Sequence, residues 1–489
     1  MFLVWVIDGN ISEKIKAFYN NQTALIISSI YLISLLGLFH TSNFDFAFDD
    51  LRRKFSIFGL PFLISGFAPI TKKELNFLFH IFIVGVVVAT LWSLFIYLGG
   101  LNITIVETRA FSRFNSHIRF GLEITLAAFL SLYFFKKETS FKVKILWVAT
   151  FLWMIISLFL FNLFTGAAVF GFTCLLLVFL YGIFSKNKLK KRITLFVFIG
   201  LIICGFFFIK KSFDNFYSDN NTISLKEIPY SKEGGKYQNT TDPAQLFSKE
   251  NGYYINRNIV WNEFSDAWNK RSDLDFNGKD LKGQNLKETL IRFITSKGQR
   301  KDKEAIDNLS EKEIIAVEHG VPNYKHLKMN NYNLRIYKII WEYDAYAKSK
   351  GQHINGHSIL MRWTYWKTAI NIIKQHIFVG VGTGDVQDAF NLQYERENSP
   401  LLKENRLRSH NQYLSYWVAF GVIGLLYFLF CLFYPLISKQ LYRNYIYIAF
   451  FSIFLLSMLT EDTLETQVGA SFFVFFNTLF VLSLNQKED

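Results

Sequence analysis

Tyr413-Leu-Ser-Tyr-Trp-Val-Ala-Phe-Gly-Val-Ile-Gly-Leu-Leu-Tyr-Phe-Leu-Phe-Cys-Leu-Phe-Tyr-Pro-Leu-Ile437 contains no charged side chain. A helix needs about 20 apolar residues to cross the ~30 Å hydrocarbon core of a bilayer, and this run exceeds that length. The residues before it are polar: Arg408-Ser-His-Asn-Gln412. His410 therefore stands where the chain enters the membrane, at a depth that meets water and lipid together. A side chain that titrates near neutrality suits that depth if a hydroxyl is to be deprotonated beside a lipid-borne substrate.

Outward from this run, the 489 residues divide sharply. They are 51% hydrophobic and 19% charged, with mean hydropathy +0.20. Residues 24–210 and 411–485 are nearly continuous apolar blocks, whereas 211–409 are charged and rich in Asn, Tyr and Lys. No soluble core of this size would use so many long apolar runs. The expected fold is an all-α polytopic membrane protein of about ten spans: 24–39, 56–70, 76–98, 117–135, 144–164, 166–184, 192–210, 412–438, 443–460 and 466–485. Its expected organisation is an N-terminal transmembrane bundle (1–210), a large, mainly helical periplasmic loop (211–409) and C-terminal transmembrane helices (410–489). The apolar stub Met1–Ile7 is too short to span and lacks a basic leader, so it does not read as a signal peptide; it could be the remnant of a helix lost from the start of the chain.

The net charge of +14 could suggest nucleic acid, but its distribution argues against that partner. Lys72 and Lys73, then Lys136, Lys137, Lys142 and Lys144, then Lys186–Arg192, then Lys439 and Arg443 follow alternate spans. They share one side, which the positive-inside rule makes cytoplasmic. Arg52, Arg53 and Lys54 dissent, falling on the other side beside Asp45, Asp49 and Asp50. Cys174, Cys204 and Cys431 all fall within expected spans, with neither a disulfide framework nor metal-ligand spacing.

With that topology the outer face collects Arg109 and Arg113, the Thr165-Gly166 turn, the insert, His117 and Arg119, His410, and the acidic hairpin Glu461-Asp-Thr-Leu-Glu465. In the insert, Leu334–Lys348 and Ser358–His376 have helical apolar spacing, and Trp363-Thr-Tyr-Trp366 suits a membrane interface. Residues 217–252 read as loop. On a helix starting near Ser112, Arg113 with His117 and Arg119 with Glu123 pair at i,i+4. An arginine and a carboxylate inside a span are costly unless paired or facing a cavity. They read either as a structural ion pair or as a cationic mouth for a phosphate-bearing headgroup. Gly380-Val-Gly-Thr-Gly-Asp385 lacks the Lys-Ser/Thr of a P-loop and reads as a turn whose amides could approach an anion. His40 and His80 read as packing residues. His353 and His357 lack a third metal ligand.

Several pieces taken together resemble a known family: Arg119 heading a mid-chain span, Met361-Arg362 with Trp366, Gly380–Asp385, Ser409-His-Asn-Gln-Tyr-Leu414, and Gly421-Val-Ile-Gly424. The chain is similar in these to the O-antigen ligase / O-antigen polymerase superfamily of bacterial inner-membrane glycosyltransferases, over about residues 24–485. The resemblance implies a periplasmic active site taking a glycan from an undecaprenyl-diphosphate carrier. The acceptor would be lipid A-core, another glycan or a protein hydroxyl, and no metal or other cofactor would be needed. It implies His410 as catalytic base and Arg119 and Arg362 as donor-diphosphate ligands; Arg113 and Arg408 join them by proximity. His117, Glu123, Asn411 and Glu461 are expected to support the site. A ligase is favoured over a polymerase or a protein O-oligosaccharyltransferase. A polysaccharide transporter or flippase is the non-enzyme alternative, expected to place charges near mid-membrane and to use broken helices there.

Overall fold

The computed structural model describes the chain except at residues 68–69, 101–111, 113–114, 220–222, 241–248, 350, 352–353 and 484–489. In chain order the helices are α1 (Phe2–Ile7), α2 (Ile11–Asn20), α3 (Gln22–Leu36), α4 (Phe44–Ser65), α5 (Lys72–Tyr97), α6 (His117–Lys137), α7 (Phe141–Leu160), α8 (Phe164–Phe184) and α9 (Lys188–Asp219). The insert contributes α10 (Trp261–Asn269), α11 (Leu286–Ser296), α12 (Lys303–Asp307), α13 (Glu311–Glu318), α14 (Asn331–Lys348), α15 (Ser358–Gln375) and α16 (Val386–Arg396). Then follow α17 (Gln412–Ser438), α18 (Tyr445–Ser457) and α19 (Gln467–Ser483). Among the described residues, sheet is confined to a hairpin of Lys249–Glu250 against Tyr253–Tyr254. The chain folds as two compact units, one of residues 1–103, 111–198 and 361–489 and the other mainly of 199–360.

Among the described residues seven helices are long and apolar enough to cross a membrane: α3 with its extension to His40, α5, α6, α7, α8, α9 and α17. The chain is a multi-pass membrane protein. The three remaining expected spans are helical but fall short of that standard. Helix α18 has 13 residues and α19 has 17, so at 1.5 Å per residue neither covers ~30 Å alone. Helix α4 starts twelve residues before the expected 56, at an Asn43 cap whose side chain accepts from Phe46 N at 3.1 Å. Its first three turns hold charge pairs at helical spacing, Arg52–Asp49 and Lys54–Asp50, both at 2.8 Å. Such pairs support helix where the sequence reads as charged loop.

In the first unit, α6 and α8 cross where small residues allow it. A Cβ on Gly166 would lie 2.7 Å from Gly121 Cα, so the backbones touch. Thr125 Oγ1 donates to Gly121 O at 2.8 Å and to Gly166 O at 3.1 Å. Close backbone approach of this kind drives helix association in lipid, where burial of apolar surface gives no advantage.

Helix α17 is interrupted at Gly421, where φ is 66° and ψ is −172°. The groups freed there are not left bare. Val418 O accepts from Val381 N and Ala419 O from Gly382 N, both at 2.9 Å, and Val422 N donates to Ile377 O at 2.8 Å. The segment after α15 thus runs beside the break and replaces the missing helical bonds, each of which would cost several kcal/mol unmade in hydrocarbon. Gly380 must be glycine, because a Cβ would meet the Ala419 carbonyl carbon at 2.4 Å.

The second unit has a conventional apolar core. Phe264, Trp268, Leu286, Leu290, Phe293, Ile294, Ile306 and Val317 are fully buried. Each contributes about 1.5–3 kcal/mol on burial. The expected helix at 334–348 is α14. Helices α10 to α13 were not expected, and Ser310-x-x-Glu313 caps α13 in a complete capping box.

Candidate functional site

The site gathers around the turn between α18 and α19. Asn411 caps α17, its Oδ1 accepting from Leu414 N at 3.1 Å while its Nδ2 donates to Leu459 O at 3.0 Å. Gln412 N donates to Met458 O at 2.9 Å. The start of α17 is thereby tied to the end of α18. His410, just ahead of the cap, adopts φ +48°, a left-handed conformation rare for a residue with a Cβ. Its ring lies 5.8 Å from that of buried Tyr365, whose hydroxyl donates to Asn405 O at 2.8 Å. The imidazole makes no hydrogen bond among the described residues.

Glu461 is the meeting point of the exposed half of the site. It accepts from Arg362 Nη2 at 2.6 Å and lies within electrostatic reach of His410, Asp462 and Arg119. Burial pushes its carboxyl above the usual range, against the opposing pull of Arg362 and His410. Arg119, at the start of α6, donates to Thr466 Oγ1 at 2.6 Å and to Ser116 Oγ at 3.3 Å. Two donors on α15, Arg362 Nε and Trp366 Nε1, are buried and unpartnered among the described residues. They sit one turn apart, as the sequence spacing implied.

The other half is deeper. Arg408 turns toward Glu465, at 3.5 Å, and its guanidinium faces the Phe46 ring at 5.6 Å. Lys54 joins Glu465 at 2.9 Å to Asp50 at 2.8 Å, and Gln412 Nε2 donates to Glu465 Oε1 at 3.0 Å. Asp462 accepts from Ser415 Oγ at 2.8 Å, and Ser415 meets Ser409 Oγ at 2.8 Å. Burial alone would push Glu465 up, but Lys54 and Arg408 hold it well below the usual carboxylate range. A small cavity lies among Asp50, Lys54, Arg408, Ser415 and Glu465.

The structure therefore brings Arg119, Arg362, His410 and Glu461 together, with Asn411 as the cap that seats His410. It turns Arg408 inward. Glu123 accepts from Asn115 Nδ2 at 2.7 Å and feels the charge of Arg119. His117 is the first residue of α6. Arg113 and Arg109 lie outside the described residues, as does His353. Gly380–Asp385 is a buttress: Val381, Gly382 and Gly384 amides are taken by protein acceptors, and Asp385 receives Ser42 N and Asn43 N at 2.8 Å. Lys54 and Asp50 entered the sequence reading only as a dissenting charged loop, Asp462 and Glu465 only within the acidic hairpin and Gln412 only within the motif around His410; none was named as a site residue. The signal available was the dissenting Arg52–Lys54 charge beside two aspartates. Among the described residues no three His, Cys, Asp or Glu side chains are grouped as metal ligands.

No curated protein matches the chain. Residues 315–429 match the family model described as O-antigen ligase, a stretch holding Arg362, Gly380–Asp385, Arg408, His410 and the broken first half of α17. This match, over about a quarter of the chain, supports the resemblance to the O-antigen ligase superfamily.

Proposed function

We propose that the protein is an O-antigen ligase-like enzyme that moves a glycan from undecaprenyl diphosphate to an acceptor hydroxyl, on the periplasmic face of a bacterial inner membrane. The observation that carries this reading is the convergence of Arg119, Arg362 and His410 on Glu461, beside the unpartnered donors Arg362 Nε and Trp366 Nε1. A diphosphate carries more charge than a carboxylate, so it outcompetes Glu461 for the Arg362 fork.

His410 takes the acceptor proton as the acceptor oxygen bonds to the anomeric carbon. The bond from that carbon to the diphosphate oxygen breaks, and the diphosphate leaves with both electrons. Its developing charge falls to Arg119 and Arg362, arranged before reaction begins, so the scheme requires no metal. Attack opposite the leaving group inverts the anomeric carbon in a ligase. Glu461, released from Arg362 and already disposed by burial to take up a proton, limits the carboxylate charge left facing the diphosphate.

A strain lacking the gene tests the reading through its surface glycans. Long unattached chains are expected for a ligase. Single repeat units assign a polymerase, and intact lipid glycan with lost glycoproteins assigns a protein transferase. Unchanged glycans of every kind would sink the enzyme reading.

A further inference from the structure

One carboxylate grips the chain on both sides of His410. Arg408, two residues before it, approaches Glu465 at 3.5 Å; Gln412, two residues after it, donates to Glu465 at 3.0 Å and accepts from Leu464 N at 2.6 Å. Between these two grips the backbone takes the left-handed turn at φ +48°. A residue with a Cβ keeps such a conformation only where its surroundings over-determine it. Glu465 is itself pinned from α4: Lys54 Nζ lies 2.9 Å from Glu465 and 2.8 Å from Asp50. Lys54 and Asp50 are 2% exposed, Glu465 7% and Gln412 0%.

Ion pairs buried this deeply are poor stabilisers, because desolvation offsets their attraction, and apolar replacements of similar shape are often as stable or more so. What they give is a fixed geometry, since each charge has few arrangements that satisfy it. Here the fixed object is the turn carrying the base. We propose that Lys54 and Glu465 are positioning residues for His410: the pair, acting through Arg408 and Gln412, sets the turn from which the imidazole meets the acceptor. The proposal rests on the reading of His410 as base. It commits Arg408 to the turn and not to the donor, and it gives α4 a part in the site that its distance in sequence conceals.

The test uses the full chain in detergent or proteoliposomes, with Glu465→Gln, Lys54→Met, Lys54→Arg and the double variant Lys54→Met/Glu465→Gln. The double variant removes both charges together, so it remains measurable where one unpaired buried charge prevents folding. Turnover is expected to fall about 100-fold in the neutral variants, the effect of a misplaced catalytic group, with donor KM held within about threefold. Lys54→Arg should recover to within about tenfold of the parent. A second readout is independent of transfer: modification of His410 by diethyl pyrocarbonate, followed by mass spectrometry, should change several-fold while that of His376 does not. Unchanged His410 reactivity in the folded double variant overturns the proposal, whatever turnover does. If His410→Asn retains transfer, the base reading falls, and the reactivity readout still decides whether the pair positions the turn.

Discussion

His410 is costly to place and free to react, and both properties shape the variant that tests it. Its φ of +48° lies where most residues are strained by about 1–2 kcal/mol and where Asn is better tolerated. His410→Asn therefore preserves the turn and removes the base. It should abolish transfer while membrane levels match the parent, and retained transfer by a well-expressed variant would remove His410 from the mechanism. Arg362 tests the donor side. Its Nη2 holds Glu461 at 2.6 Å while its Nε is unpartnered among the described residues, so the fork has two faces to offer. Arg362→Lys keeps the charge and loses the fork. The expected loss is one charge-assisted hydrogen bond, about 2 kcal/mol or roughly 30-fold in kcat/KM, measured with purified donor. Equal activity of the lysine variant would mean that a point charge suffices. In the sequence His410 stood out as a titratable residue at a membrane entry, whereas Arg362 was named through the family resemblance. Glu465 and Lys54 were not named as site residues, since a buried ion pair between residues four hundred positions apart leaves no local pattern.

The break in α17 is the feature by which the elements depend on one another. A transporter uses broken helices to expose backbone groups to its cargo. Here the freed groups bond instead to Ile377, Val381 and Gly382, which makes the break a joint between the insert's end and the membrane helix. Gly421→Ala should be severe: a Cβ would lie 2.1 Å from Phe378 O, at a φ of 66°. A loss of about 3 kcal/mol or more is expected, read as a fall in melting temperature in detergent, and a parent-like value would mean that the break is not held. The sequence showed Gly380–Asp385 as a turn and Gly421 as part of a motif, but not that the two meet. Backbone pairing across forty residues has no side-chain signature. Helices α10 to α13 were not expected: their caps, Asn285 ahead of Glu288 and Ser310 ahead of Glu313, stand in a polar stretch where short amphipathic turns resemble loop. Within that region His326 is pushed down to about 3 by burial first, then by Lys338, Arg292 and Lys282. The folded state binds fewer protons there than the unfolded chain between about pH 6.5 and 3, so stability falls as pH drops through that window. Hydrogen-exchange protection factors in α11 and residues 324–327, taken relative to the intrinsic exchange rate at each pH, should fall accordingly, and His326→Gln should flatten the dependence.

At the scale of the whole molecule, the proposed orientation rests on loop charge, and the ion pairs of the one dissenting loop account for its exception. Arg52 and Arg53 pair with Asp49, and Lys54 is buried between Asp50 and Glu465. Charges neutralised by neighbours on the same helix, and one of them inaccessible to water, do not weigh as free cytoplasmic lysines do. The remaining basic loops then agree. Lys72 and Lys73 open α5, Lys136 and Lys137 close α6, and Lys188 to Arg192 open α9. On the proposed orientation the 138–140 and 185–187 connections are expected in the cytoplasm and the α18–α19 turn, with Glu461 and His410, outside. Three native cysteines, Cys174, Cys204 and Cys431, can be replaced by serine or alanine to give a background for labelling. In that background Lys190→Cys should react with a membrane-impermeant maleimide only after the inner membrane is opened. Lys303→Cys, on the surface of the insert, should react as soon as the outer membrane is permeable. The reverse pattern would put the acidic turn in the cytoplasm. His410 would then face water that holds nucleotide-linked sugars and no flipped lipid-linked glycan, and the proposed reaction would lose its donor.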